Sequence, residues 1–126
     1  GRCAASGVAG ERKRNRLMLL PVALHVEKRR CLVVGGGAVA ARKTKSLLEC
    51  GAQVKVIAPE IGDEMTELLP RIEYSQRAFE AGDCQNFQLV FACTNSREAN
   101  AQIAREAQQI GVWCNIADDP QNSDFH

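Results

Sequence analysis

Aromatic residues are scarce in this sequence: one Trp, one Tyr and four Phe make up 5% of its 126 residues. A basic segment that holds nucleic acid by stacking needs such rings, and the basic stretch opening this chain has none. Residues 1–16 carry Arg2, Arg12, Lys13, Arg14 and Arg16 against the single acid Glu11, so this segment is +4 while the remainder is −3. Rich in Gly, Ala and Ser, residues 1–17 read as a basic, disordered leader, and nucleic acid is not expected as a partner. Met18 directly precedes the first organised stretch, where a natural start would fall.

Long apolar runs are also missing. Residues 17–24 are apolar but fall far short of the roughly 20 needed to cross a bilayer, and Pro21 interrupts them. No small-residue cleavage site follows, which argues against a secretory signal. No membrane partner is expected, and the location is read as cytoplasmic. The two His and the six Cys (Cys3, Cys31, Cys50, Cys84, Cys93, Cys114) form no C-x-x-C pair and no His–Cys ligand spacing. That excludes a zinc site or a disulfide framework, so no resident metal is expected. Several of these thiols fall on predicted strands or at a helix end, where a reduced Cys acts as a small hydrophobe.

What is present is an ordinary globular balance, 45% hydrophobic and 25% charged, in a length that suits one domain. From residue 18 the pattern is regular. Residues 19–26 form a short extended lead-in, and Glu27-Lys28-Arg29-Arg30 a charged turn. The run Cys31-Leu32-Val33-Val34 ends in glycines, the mark of a buried parallel strand. A helix is predicted over 38–50 and stopped by Gly51, and a second strand over 53–58, closed by Pro59. A short helix over 60–69, ended by Pro70, leads to a third strand over 72–74. Residues 79–87 suggest a short helix and turn. A fourth strand spans 89–93, then comes a helix capped by Asn95 or Ser96, with Ala99, Ile103, Ala107 and Ile110 inward, and a last strand over 112–116. Alternating strands and helices predict an α/β fold: a Rossmann-type, doubly wound parallel sheet in a single domain over residues 18–126.

Gly35-Gly36-Gly37-Ala38-Val39-Ala40 matches the dinucleotide fingerprint G-x-G-x-x-G/A, between a predicted strand and a predicted helix. The first glycine permits the tight turn, the second admits the pyrophosphate, and the small third residue lets helix and strand pack closely. The helix N-terminus then faces the anion. The acid that usually closes the second strand and binds the ribose is absent, since Ala58 stands there and Glu60 is the nearest acid. NAD is preferred to NADP on this basis, with Lys55 read as a solvated strand residue. The last strand ends in Asn115-Ile116-Ala117-Asp118-Asp119-Pro120, placing Asp118 and Asp119 at the carboxyl edge where such sheets bind ligands. A D-D-P run also makes a plain turn, so position alone leaves both readings open.

Five blocks in order carry a family resemblance: L-P-V-A-L-x-V, R-C-L-V-V-G-G-G-A-V-A-A-R-K, V-I-A-P-E, A-C-T-N and N-I-A-D-D-P-x-x-S-D-F. Over about residues 19–125 the chain resembles the precorrin-2 dehydrogenase/sirohydrochlorin ferrochelatase family, the N-terminal module of sirohaem synthases. The resemblance implies oxidation of the tetrapyrrole precorrin-2 to sirohydrochlorin with NAD⁺, and in bifunctional members insertion of Fe²⁺ as a second substrate. It assigns Gly35, Gly36, Gly37, Ala38 and Val39 to the cofactor, sets Pro59 and Glu60 beside the adenosine, and brings Thr94 near the cofactor. It makes Asp118 the catalytic acid, with Asp119 the second choice; a carboxylate base suits both dehydrogenation and metal insertion. Arg42 and Lys43 follow the loop, where they could meet phosphate or the substrate's carboxylates, or simply form a solvated helix face.

Family members continue past the D-F block into a dimerisation region and a helical domain, so the expectation is a truncated module of a homodimeric enzyme. Such a module should bind NAD and turn over precorrin-2 poorly on its own. A rival reading from another class is a non-catalytic, NAD-binding regulatory domain. Such sensors keep an acid where this chain has Ala58. An unrelated small dehydrogenase would need a Tyr-Lys or His element, and Tyr74 has no such setting.

Overall fold

Short apolar runs become strands here because both of their faces are covered. The computed structural model describes residues 18–126, and the leader expected over 1–17 lies outside the described residues. Five parallel strands form one sheet: β1 (Arg30–Val34), β2 (Gln53–Ile57), β3 (Glu73–Ser75), β4 (Leu89–Ala92) and β5 (Trp113–Ile116). Their order is β3-β2-β1-β4-β5, the doubly wound arrangement expected, with the direction of winding reversing at β1. Helices α1 (Ala38–Glu49), α2 (Asp63–Thr66) and α3 (Arg97–Gln109) complete the layers.

Alternation along each strand divides the core in two. Cys31, Val33, Val54, Val56, Leu89 and Phe91 pack with Ala40, Ala41 and Leu47 of α1 and Met65 of α2. Leu32, Val34, Ile57, Val90, Ala92, Cys114 and Ile116 face the other way, onto Ile103 and Ala107 of α3. Leu32, Val33, Val56, Val90 and Ile103 are fully buried, so truncating Leu32 or Ile103 to Ala would cost about 2–5 kcal/mol.

Three local expectations are corrected. The helix predicted over 60–69 shrinks to α2, followed by a 3₁₀ turn at Leu69–Arg71 that contains Pro70 rather than ending at it. The cause is the glycine loop: Gly62 N–H donates to Gly36 O (2.9 Å), which holds residues before α2 extended across that loop. Residues 79–87 form turns without a helix. Side chains fix that segment instead, as Arg77 pairs with both Asp83 oxygens (2.8 and 2.9 Å). Glu106 adds to this by accepting from the N–H groups of Gly82 and Cys84. On α3 the inward residues are Asn100, Ile103 and Ala107, while Ile110 is exposed.

The end of the chain turns back along β5. Asp124 N–H donates to Cys114 O (2.8 Å) and its carboxylate accepts from Cys114 N–H (3.0 Å). Ser123, buried, accepts from Ile116 N–H (2.8 Å) and donates to Asp119 O (2.9 Å). The segment thereby covers the outer edge of the sheet, a template for unwanted pairing if left bare. Phe125 then packs edge-on against Phe91, ring centroids 5.4 Å apart.

Candidate functional site

Four strands end in line. Beyond the strand ends, Gly35 N–H donates to Ile57 O, Ala58 N–H to Ser75 O, Cys93 N–H to Val34 O and Ala117 N–H to Ala92 O. The loops carrying the glycines, Pro59 and Glu60, Thr94, and Asp118 therefore leave from one carboxyl edge, beside the winding reversal at β1.

The three glycines do three different things. Gly35 has φ +133°, and a Cβ there would lie 2.3 Å from Cys93 O, so the turn requires glycine on two counts. A Cβ on Gly36 would lie 2.1 Å from Glu60 O and 2.9 Å from Ile61, because residues 60–62 cross directly against the loop. Gly37 differs: nothing lies within 4 Å of where its Cβ would be. It caps α1 with no side-chain hydrogen bond. The N–H groups of the first helical turn are left without backbone partners by helix geometry. Open space, a bare glycine and the positive end of a helix dipole together fit a pyrophosphate. Ala38 is exposed, Val39 half-buried and Ala40 fully buried, so the small third position packs inward as the fingerprint requires.

At the end of β2 the missing acid has a structural counterpart. Ala58 is buried, and its carbonyl accepts from the Tyr74 hydroxyl (2.8 Å). Pro59 and Glu60 are the first exposed residues after it. Lys55 sits within the strand, where its charge is felt at Asp83 on the loop before β4.

Thr94 is held rather than free. Its hydroxyl donates to Asn100 Oδ1 (2.7 Å) and its N–H to the same oxygen (3.0 Å), while Asn100 Nδ2 donates to Thr94 O (3.2 Å). Asn100 is the residue sequence reasoning missed. Its signal was a polar side chain one turn after the Ser96 cap, on a helix face otherwise apolar, and it fixes the whole β4–α3 turn. Ser96 is the cap, accepting from Ala99 N–H (3.0 Å).

The two terminal aspartates separate cleanly. Asp119 caps the 3₁₀ turn Pro120–Asn122, accepting from the N–H (3.4 Å) and the side-chain amide (2.9 Å) of Asn122. Asp118 is exposed, with φ +65°, and forms no hydrogen bond or ion pair among the described residues. Asp tolerates that left-handed conformation better than most residues. The tie-backs through Ser123 and Asp124 set the turn that presents it, and Asn115 Nδ2 donates to Phe125 O (2.9 Å) beneath.

Cys31, Cys50, Cys84, Cys93 and Cys114 are free thiols. Burial pushes Cys31 and Cys93 up to about 11 and Cys84 and Cys114 up to about 12, so these four stay protonated at neutral pH. They act as packing residues. No group of three or more His, Cys, Asp or Glu among the described residues could hold a metal, and no helix among them is long and apolar enough to cross a membrane.

Comparisons with known proteins identify the family and the fold. A family model described as "Putative NAD(P)-binding" matches residues 22–126. The siroheme synthase of Tolumonas auensis is 40% identical over 106 residues, 84% of this chain and 23% of that protein. The siroheme synthase of Methylococcus capsulatus is 41% identical over 108 residues, again 84% and 23%. Among solved structures, SirC, precorrin-2 dehydrogenase, matches with a TM-score of 0.62 at 29% identity, covering 66% of this chain and 43% of that one. The chain thus spans about a quarter of the length of these siroheme synthases.

Proposed function

The chain belongs to this NAD(P)-binding family, and from that premise we propose that it is the cofactor-binding module of an enzyme that oxidises precorrin-2 to sirohydrochlorin with NAD⁺. The observation that carries the proposal is the open space at Gly37, at an uncapped helix N-terminus, on the same carboxyl edge as the unpartnered Asp118. Residues 18–126 act as one unit, in which the N–H groups around Gly37, Ala38 and Val39 hold the pyrophosphate. Gly35 and Gly36 shape the turn, Pro59 and Glu60 border the adenosine, and Thr94 lines the cofactor side of the β4 turn. Glu60 takes over the ribose contact that Ala58 cannot make.

NAD⁺, when bound, accepts a hydride from the tetrapyrrole. The same oxidation releases one proton, and Asp118 is the base that takes it, being exposed and free of competing hydrogen bonds. Asp119 is already engaged as a cap, which favours Asp118 between the two. In longer proteins that carry this module we propose a homodimer, located in the cytoplasm, in which the same carboxylate serves insertion of Fe²⁺ into sirohydrochlorin. The free thiols are consistent with that compartment. The regulatory-sensor alternative is disfavoured by the likeness to siroheme synthases and to a precorrin-2 dehydrogenase.

The test is NADH formation on adding precorrin-2 to this chain and to a C-terminally extended protein, each with Asp118→Asn and Asp119→Asn. The extended protein should turn over, the isolated chain poorly, and Asp118→Asn should remove turnover while Asp119→Asn retains it. Loss on changing Asp119 alone would move the base to that residue.

A further inference from the structure

We infer that Asn100 of α3 is a positioning residue: through Thr94 it holds the end of β4, where the nicotinamide half of the dinucleotide crosses the sheet edge. The placement of the nicotinamide rests on the NAD⁺-dependent reading above, and what is added is a residue that acts on the cofactor without touching it.

Strand order puts the ends of β1, β4 and β5 side by side, so Thr94 stands between the glycine loop and the turn carrying Asp118. Neighbouring strands lie about 4.8 Å apart, which sets those two features roughly 10 Å from each other. A dinucleotide with its pyrophosphate at Gly37 and its reacting ring at Asp118 has to pass over the end of β4. That end also fits tightly against the loop, since a Cβ on Gly35 would lie 2.3 Å from Cys93 O. Any shift of Thr94 is therefore a shift in the wall of the cofactor site.

Sheet bonding stops just short of Thr94. The last bonds between β4 and its neighbours are Cys93 N–H to Val34 O (2.8 Å) and Ala117 N–H to Ala92 O (3.0 Å). Beyond them both neighbouring chains turn away with positive φ, at Gly35 and at Asp118. The Thr94 N–H and carbonyl would be left as orphans there. Asn100 answers both, accepting from the N–H (3.0 Å) and donating to the carbonyl (3.2 Å), as another strand would. Because that N–H can only donate, the orientation of the amide is fixed. The Thr94 hydroxyl has one proton, and the 2.7 Å contact to Asn100 Oδ1 takes it in preference to the 3.1 Å contact to Ser96 O. Its oxygen accepts from Ser96 N–H (3.1 Å), which leaves one lone pair for a donor such as a ribose hydroxyl. Asn100 is itself anchored, buried and one turn into α3, with its own N–H on Ser96 O (2.9 Å).

The deciding experiment titrates the chain with NADH and with ADP, which carries the adenosine and the diphosphate but no nicotinamide riboside. Parent, Asn100→Ala, Asn100→Asp and Ile103→Val are compared at a temperature where each is folded. Asn100→Ala should weaken NADH about fivefold or more, the worth of one well-made hydrogen bond, and keep ADP within about twofold. Asn100→Asp retains the oxygen that both Thr94 donors need and should lose less. Ile103→Val loosens the same helix without touching Thr94 and should leave both affinities unchanged. Unchanged NADH affinity in Asn100→Ala, or an equal loss of NADH and ADP, would overturn the inference while leaving the NAD⁺ reading in place. So would a loss of NADH affinity in Ile103→Val as large as in Asn100→Ala. A parent chain that binds neither ligand would remove the NAD⁺ reading and the role of Asn100 with it.

Discussion

The turn after β1 and the turn after β5 face the same ligand edge, yet they are built by opposite means. The first is shaped by the absence of side chains: Gly35 and Gly36 let Cys93 O and the 60–62 strap approach to distances no Cβ would allow. The second is shaped by side chains that bond to backbone, with Ser123, Asp124, Asn115 and Asp119 holding the chain around Asp118. A turn of the first kind fails by collision, which is abrupt. One of the second kind fails bond by bond, because each polar tie contributes a modest net amount.

That contrast can be broken most severely at the glycines. Gly36→Ala places a methyl group against Glu60 O with neighbours on both sides fixed by the Gly62–Gly36 hydrogen bond, so a loss of about 3 kcal/mol or more is expected in urea unfolding. Tolerance of alanine there would mean that the strap moves freely. Removing a polar tie should cost less. Ser123→Ala leaves the buried Ile116 N–H without its hydroxyl acceptor, and Asn100→Ala does the same to Thr94 N–H, each lowering stability by about 1–3 kcal/mol. The aspartates sharpen the comparison further. Asp119→Ala should cost about 0.5–2 kcal/mol as a lost cap, whereas Asp118→Asn should stay within about 0.5 kcal/mol. Equal destabilisation by the two would make Asp118 a structural residue.

Another modest effect lies far from either turn. The hydrogen bond from Arg77 holds Asp83 below its ordinary value of 3.8. A depressed carboxyl contributes stability that is complete above that ordinary value and lost as pH falls through the lower folded value. Asp83→Asn should therefore cost under about 1 kcal/mol at neutral pH, given the partial exposure of the pair, and the difference from the parent should shrink below about pH 4. A difference that persisted in acid would mean that geometry, not charge, holds the 77–83 loop.

The same contrast explains what could be read in the sequence. Backbone requirements appear directly as residue types, so the glycine loop, the stop at Gly51 and the doubly buried strands were legible. Alternation of strands and helices pointed to the parallel, doubly wound sheet. Polar tie-backs depend on which distant group answers, and a sequence does not print that. Thus position alone left Asp118 and Asp119 alike, only the family resemblance favoured Asp118, and the Asn122 contacts then set Asp119 apart as a cap. Asn100 was hidden on an apolar stripe, and the helix expected over 60–69 was shortened by a hydrogen bond to Gly36. Residues 79–87 looked helical because their tie to Glu106 crosses more than 20 positions.

The central claim is that the space beside Gly37 is a pyrophosphate site, and NADH titration of the parent chain against Gly37→Ala tests it most directly. Nothing in the fold meets the added methyl group, so thermal stability should stay within about 1 kcal/mol of the parent. Saturable NADH binding by the parent, weakened about tenfold or more in Gly37→Ala, is the predicted result. Equal affinity in the two chains, with the fold intact, would contradict it.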